Sequence, residues 1–316
     1  MSTKISLCAL LGLLLALVTG SAGAIPPPPP APQLDDLENA SYRGLTGAEG
    51  SITLSDGSWQ GVPYIEGGAT VPAAELIGFL VVQGDLDQDG RTESVNLVNY
   101  SGGGTGQFVH LAITRFDNGA VDNFATVLLG DRVQVRDINI VDGSIVVDMV
   151  QQGPQDGSCC AGDVVTRSWR LVEGRLEELP ASGEVTRLSV DTLAGQEWVL
   201  SRWGYDEPVQ EGIHITLLYA DGRFTGSSAC NRYFAGVDTA EGAPGSIAVS
   251  EVGGTRMACI PELLGEAEGR YLKTLQQVNV ISFLAGELVL GWGQGTVFGA
   301  LYFRRADGLI PRTNLE

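Results

Sequence analysis

Strand-length apolar runs, each closed by a turn dipeptide, govern what this chain can fold into. Residues 133–141 and 144–151 flank Asp142-Gly143, and residues 164–172 and 175–179 flank Glu173-Gly174. Asp221-Gly222 and Ala285-Gly286 repeat the device further along. A two-residue loop ending in glycine suits a tight hairpin, because such a turn needs positive φ at its centre. Residues 76–83, 94–100 and 108–116 read as further strands, and few segments before residue 180 have helical period. The spacing predicts a mainly β (β-rich α+β) protein built of two antiparallel β domains, the second carrying one helix.

The boundaries follow from composition. Residues 1–24 have a positive n-region at Lys4, an apolar run from Leu7 to Val18, and an Ala22-Gly23-Ala24 cleavage signal. They read as a secretory signal peptide, too short to span a bilayer comfortably. Residues 25–37 contain Pro26 to Pro30 and Pro32, and read as an extended proline-rich linker. A first β-rich domain is expected over 38–180, a polar connector over 181–189, a second domain over 190–307, and a loose tail over 308–316. The helix of the second domain should start at Pro261, a residue suited to the first helical position. Leu263, Leu264, Ala267, Tyr271, Leu272, Leu275 and Val278 then recur at helical spacing. Gly265 and Gly269 weaken that helix by about 1 kcal/mol each relative to Ala, so it needs tertiary packing.

Charge narrows the function. The chain has 38 Asp+Glu against 19 Lys+Arg, a net charge of −19, and two histidines. That balance excludes nucleic acid and anionic lipid surfaces as partners, since both need a basic face. His110 and His214 fall in apolar strand-like runs and read as structural histidines. The glycines at 102–106 lack the Lys-Ser/Thr of a phosphate loop and read as a hairpin loop.

The one ligand-site pattern with a mechanism is Asp85, Asp87 and Asp89 followed by Gly90. Carboxylates two residues apart converge on a hard cation when glycine permits the turn, and Glu93 supplies a ninth-position ligand. An EF-hand would place Glu at the twelfth position, where this chain has Asn96. The choice is between a single Ca²⁺ loop and an acidic turn.

The second domain resembles the META (HslJ-type) family. The resemblance rests on Leu193 to Trp198 (LAGQEW), Asp221 to Gly226 (DGRFTG), Ala229 to Phe234 (ACNRYF), Gly254 to Cys259 (GTRMAC), the helix, and Gly286 to Leu290 (GELVL). It implies a compact, mostly β fold with one helix in a bacterial envelope protein, no enzymatic activity, and a role in envelope stress or secretion. Ala229 stands where the family usually has Gly. The first domain resembles a less characterised bacterial envelope and lipoprotein module, through Gly84 to Gly90, the 102–106 loop, Leu129 to Val133, and Cys159-Cys160.

Export permits disulfides, and four cysteines remain in the mature chain. Cys230 and Cys259 lie in the family's signature segments, so the resemblance implies a bridge between them, the alternative being two buried thiols. Cys159 and Cys160 could pair with each other, stay free or bridge other molecules. Arg232 and Arg256 beside those segments could bind an anion, or the segments could serve only turn and core hydrogen bonding.

The expectation is an exported, periplasmic or secreted non-catalytic protein of binding or structural type. It would act on an envelope protein, glycan or small ligand, without a transmembrane span in its mature form and with no cofactor beyond a possible Ca²⁺. The alternatives are a metal-dependent hydrolase using Asp85 to Asp89, and an inhibitor or secretion-assembly protein. Intact mass of the exported protein should show a chain starting at Ile25; a chain retaining Lys4 would overturn the cleavage.

Overall fold

The computed structural model describes residues 30–157, 159–181, 183–294 and 297–307. The signal segment, residues 25–29 and the tail 308–316 lie outside the described residues. No helix among the described residues is long and apolar enough to cross a membrane.

The first module opens with a one-turn helix α1 (Leu34–Leu37) and short strands β1 (Ser41–Arg43), β2 (Ser51–Thr53) and β3 (Ser58–Gln60). Long strands β4 (Ala73–Gly84), β5 (Glu93–Ser101), β6 (Phe108–Asp117) and β7 (Ala120–Asp131) follow. They form one seven-stranded sheet in the order β2-β1-β7-β6-β5-β4-β3. Strands β8 (Gln134–Val141), β9 (Ser144–Gln151), β10 (Asp163–Val172) and β11 (Arg175–Glu178) form a second sheet, which β12 (Thr186–Arg187) joins by pairing with β10. The hairpins use the turns read from sequence. Asp142 and Gly143 have φ of 50° and 69°, and Glu173 and Gly174 have 48° and 74°. Positive φ at both central residues matches the right-handed twist of the flanking strands.

The two sheets pack face to face. Leu97, Leu111 and Ile113 of the first meet Val147, Met149 and Trp169 of the second in one core. The other face of the first sheet is covered too: Leu37, Tyr42, Ile52 and Leu54 pack over Val98, Tyr100 and Ala112. Strand β5 is therefore buried on both sides, which removes the polar alternation of a half-exposed strand.

Double burial corrects the linker boundary. The sequence reading ends the proline spacer at residue 37, but Ala31, Pro32 and Leu37 are buried. The Pro32 carbonyl accepts hydrogen bonds from Ser94 Oγ (2.6 Å) and Gln83 Nε2 (3.1 Å). A buried hydroxyl and amide need partners, and the incoming chain supplies them. The connector 181–189 is corrected likewise. Its β12 extends the edge of β10, Arg187 pairs with Asp156 (2.6 Å) and Asp163 (2.5 Å), and Leu188 is buried.

The second module begins with a 3₁₀ turn (Val190–Leu193), then β13 (Glu197–Arg202), β14 (Thr216–Ala220), β15 (Arg223–Ser227), β16 (Arg232–Thr239) and β17 (Ile247–Gly254). Helix α2 (Glu262–Leu275) precedes β18 (Val280–Leu284), β19 (Glu287–Gln294) and β20 (Val297–Arg305). The eight strands run β17-β16-β15-β14-β13-β20-β19-β18, and a bridge from Ser246 to Val280 brings the two ends together. The curled sheet encloses Ala267, Tyr271 and Leu275 of α2. The helix starts one residue later than its sequence suggests, because Pro261 is extended (ψ 165°) and caps it from outside.

The modules share buried surface. Val150, Ala161 and Val164 of the first belong to the core of the second. The β18–β19 turn docks on β8: the Phe283 amide donates to Gln134 Oε1 (2.9 Å), and the Gly286 amide donates to the Val135 carbonyl. Arg136 lies over the Phe283 ring, 4.9 Å from its centroid, while Arg305 reaches Asp137 at 2.9 Å. Both modules should therefore unfold in a single urea transition followed by tryptophan fluorescence. Phe283→Ala should lower its stability by about 3–5 kcal/mol. Two separate transitions in the unmodified protein would show that the modules fold independently.

Candidate functional site

The acidic loop joins β4 to β5. Gln88 and Gly90 have φ of 62° and 85°, and these left-handed residues fold the loop back on itself. Backbone amides fix one oxygen of each aspartate. Asp85 Oδ2 accepts from Gly90, Asp87 Oδ1 from Asp89, and Asp89 Oδ1 from Arg91, at 3.1, 3.1 and 2.8 Å. One carboxylate oxygen from each of the three lies within 4.8 Å of the others. Two guanidiniums attend them: Arg91 Nη2 is 2.6 Å from Asp89 Oδ2, and Arg115 Nη1 is 3.5 Å from Asp87 Oδ2 and 3.6 Å from Asp89 Oδ2. The Arg91 hydrogen bond holds the Asp89 carboxyl below its ordinary range.

Glu93 is the first residue of β5 and is fully buried. Its Oε2 accepts the Leu86 amide at 2.9 Å, from the residue between Asp85 and Asp87. Its Oε1 meets no donor. Burial, opposed by the Leu86 hydrogen bond and reinforced by repulsion from Asp87, Asp89 and Asp85, pushes its carboxyl up to about 7. Of the four acids named from sequence, Asp85, Asp87 and Asp89 come together in the loop, while Glu93 stands on β5 and touches the loop through the Leu86 amide. Asn96 does not belong to it; buried within β5, it donates to the Tyr42 hydroxyl at 3.2 Å.

The histidines stand elsewhere. His110 is buried in β6, and its Nε2 accepts the Thr46 amide at 2.8 Å, as a structural histidine should. Burial lowers its pKa. His214 differs from expectation: it precedes β14 and is exposed, because the strand starts two residues later.

In the second module, Cys230 and Cys259 are bonded, with Cα atoms 5.6 Å apart; in the first, Cys159 and Cys160 are bonded to each other. Asn231 continues the connection. Its Oδ1 accepts from the Met257 amide (2.7 Å) and Thr255 Oγ1 (2.8 Å), and its amide and Nδ2 donate to Glu268 of α2 at 2.8 and 3.1 Å. Glu268 also accepts from Ser228 Oγ at 2.6 Å. Asn231 and Thr255 therefore serve the internal hydrogen bonding of these segments. Arg232 and Arg256 are exposed beside them. Glu268 is the member that sequence reasoning missed; its only signal is its position on the inward side of α2, one residue after Ala267. From the same loop, Met257 and Ile260 project into solvent, 64% and 85% exposed, near the partly exposed Leu263 at the helix start.

A cavity of about 430 Å³ opens where the modules meet. Ile77, Val109 and Val135 of the first module and Phe283 of the second line it, with Glu75 and Tyr205 at its polar side. No sequence signal marked it, since its walls come from segments far apart in the chain.

The Cys230–Cys259 bridge closes a 29-residue separation. Replacing both cysteines by serine should cost about 3–4 kcal/mol by the loop-entropy estimate, read as a lower urea midpoint. An unchanged midpoint would show that Asn231 and Glu268 hold the loop without the bridge.

Residues 191–301 match the family model of the META domain. No curated protein matches the chain. One similar solved chain, described as "NMR structure of the protein from Burkholderia xenovorans", is 26% identical with a TM-score of 0.31, over 42% of this chain and 99% of that one. The family match falls on the module that holds the Cys230–Cys259 bridge, the Asn231–Glu268 hydrogen bonds and α2, and residues 191–301 are a META domain.

Proposed function

We propose that this is an exported, non-catalytic envelope protein that binds a partner protein through its META domain. The observation that carries the reading is the exposed apolar segment of Met257, Ile260 and Leu263, clamped by the Cys230–Cys259 bridge. Exposed large apolar groups on a pre-ordered loop favour a contact surface, because little conformational entropy is lost when the partner arrives. The two arginines beside the segment add a local basic contribution on an otherwise acidic chain. A non-catalytic reading is supported by the arrangement of reactive side chains: the four described cysteines are bonded in pairs, and neither histidine adjoins the acidic loop. A role in envelope stress or secretion belongs to the same reading and rests on the family alone.

A second reading is favoured by the cavity between the modules, whose mainly apolar walls and few polar groups suit a small ligand. The two readings separate by experiment. The mature protein and its Met257→Glu/Ile260→Glu variant are used as baits in envelope extract. The expected outcome is a protein retained by the first and lost at least tenfold from the second, with unchanged circular dichroism. Equal retention by both baits would remove the META segment as the contact.

A further inference from the structure

We propose that the Cys159–Cys160 bond is a thiol-exchange site, opened by a dithiol that attacks Cys159 while the Cys230–Cys259 bond stays closed. The two bonds join their residues over sequence separations of 1 and 29. A bridge stabilises a fold by restricting the unfolded chain, and that effect grows with the loop it closes. A bridge between neighbours closes almost no loop. It adds next to nothing to stability, and the fold in return does little to keep it shut.

The chain is fixed on either side of the pair without help from the sulphurs. Before it, Asp156 accepts the Gly153 amide (2.7 Å) and pairs with Arg187 (2.6 Å). After it, Ala161 is buried in the core shared by the two modules. The Gly162 amide donates to the Gln151 carbonyl (3.1 Å), and its carbonyl accepts the Leu188 amide (2.8 Å). Access differs as well. Cys159 is exposed and Cys160 half-buried, whereas Cys230 and Cys259 are both half-buried. Asn231 Nδ2 stands against that second bond, 3.5 and 3.7 Å from its sulphurs. Cys160 instead lies in the wall of an open cleft of about 640 Å³, between Pro154, Gln155 and Gly157 of the first module and Gly242 to Pro244 of the second.

The exchange runs in two steps. A thiolate of the dithiol attacks Cys159 Sγ and forms a mixed disulfide, and the Cys159–Cys160 bond breaks with its electron pair on Cys160. The second thiolate of the reagent then attacks its own sulphur in the mixed disulfide and expels Cys159 as a thiolate. The cysteines gain two electrons and the two protons of the dithiol, which leaves as a disulfide. A monothiol stops at the first step, where Cys160, one residue away, attacks the mixed disulfide and restores the bond. Adjacency thus selects dithiols. This chemistry is independent of the META-domain contact, and the protein is its substrate.

The test uses the folded mature chain in anaerobic mixtures of reduced and oxidised dithiothreitol. Free thiols are trapped with N-ethylmaleimide and located by peptide mass mapping. Cys159 and Cys160 should be labelled at roughly a tenth or less of the reduced-to-oxidised ratio that labels Cys230 and Cys259, with circular dichroism unchanged. 2-Mercaptoethanol at the same thiol concentration should leave the pair bonded. Cys160→Ser, given 2-hydroxyethyl disulfide, should retain one mercaptoethanol on Cys159, because the thiol that expels it is gone. Cys159→Ser/Cys160→Ser should melt at the temperature of the unmodified chain. Labelling of Cys230 and Cys259 first or together with the pair overturns the site, as does a lower melting temperature in the double variant. Absence of the adduct on Cys160→Ser overturns Cys159 as the attacked sulphur, and equal reduction by the monothiol overturns the selection by adjacency.

Discussion

Burial of β5 on both faces is the constraint from which most of the first module follows. In a strand covered on one side by Val147, Met149 and Trp169, and on the other by Leu37 and Tyr42, unpaired polar groups are costly. Each polar residue in it has a structural consequence. Ser94 draws in the Pro32 carbonyl, Asn96 binds the Tyr42 hydroxyl, and Thr114 Oγ1 on the neighbouring strand donates to the Ser94 carbonyl. Those contacts tie down the segment from Ala31 onward. Glu93 is the extreme case. Placed at the first position of the strand, its buried carboxyl accepts the Leu86 amide and feels the repulsion of Asp87, Asp89 and Asp85.

The META domain solves a different problem. Its sheet curls around α2, and that helix has Gly265 and Gly269 among its fourteen residues. Low intrinsic propensity is offset by tertiary contacts: Tyr271 meets the Tyr233 hydroxyl at 2.7 Å, and Glu268 accepts three hydrogen bonds from Ser228 and Asn231. Ser228, Asn231 and Tyr233 thus bind the helix to the sheet.

Legibility of the fold followed local signals. The glycine turns at Asp142-Gly143, Glu173-Gly174, Asp221-Gly222 and Ala285-Gly286 were legible because their backbone demand is local. Asn118-Gly119, with φ of 50° and 83°, carries the same signal and joins β6 to β7; overlooking it left the twelve-residue strand β7 unassigned. The burial of Ala31, Pro32 and Leu37 was illegible, because a proline-rich stretch has the same composition whether it hangs free or lies against Ser94 and Gln83. At the acidic loop, the four ligand candidates could be read from spacing. The Arg115 that pairs with Asp87 and Asp89 could not, since it enters from β6, 22 residues beyond Glu93.

Electrostatics links the two modules. With −19 net charge, the chain places many of its few cations where they neutralise acids internally. Arg136 reaches Asp148 and the Thr192 carbonyl, Arg305 reaches Asp137, and Arg202 and Arg304 both reach the fully buried Glu287. Burial raises the pKa of Asp148 and lowers that of Arg136, while their mutual attraction opposes both shifts. Of these, the Arg305–Asp137 pair and the Arg136 bond to the Thr192 carbonyl cross between the modules, and they fix the register of the META domain on the five-stranded sheet more than they strengthen it, since an ion pair adds little net stability against an apolar isostere. With so many arginines engaged internally, the exposed Arg232 and Arg256 set the META loop apart from the acidic surface around it.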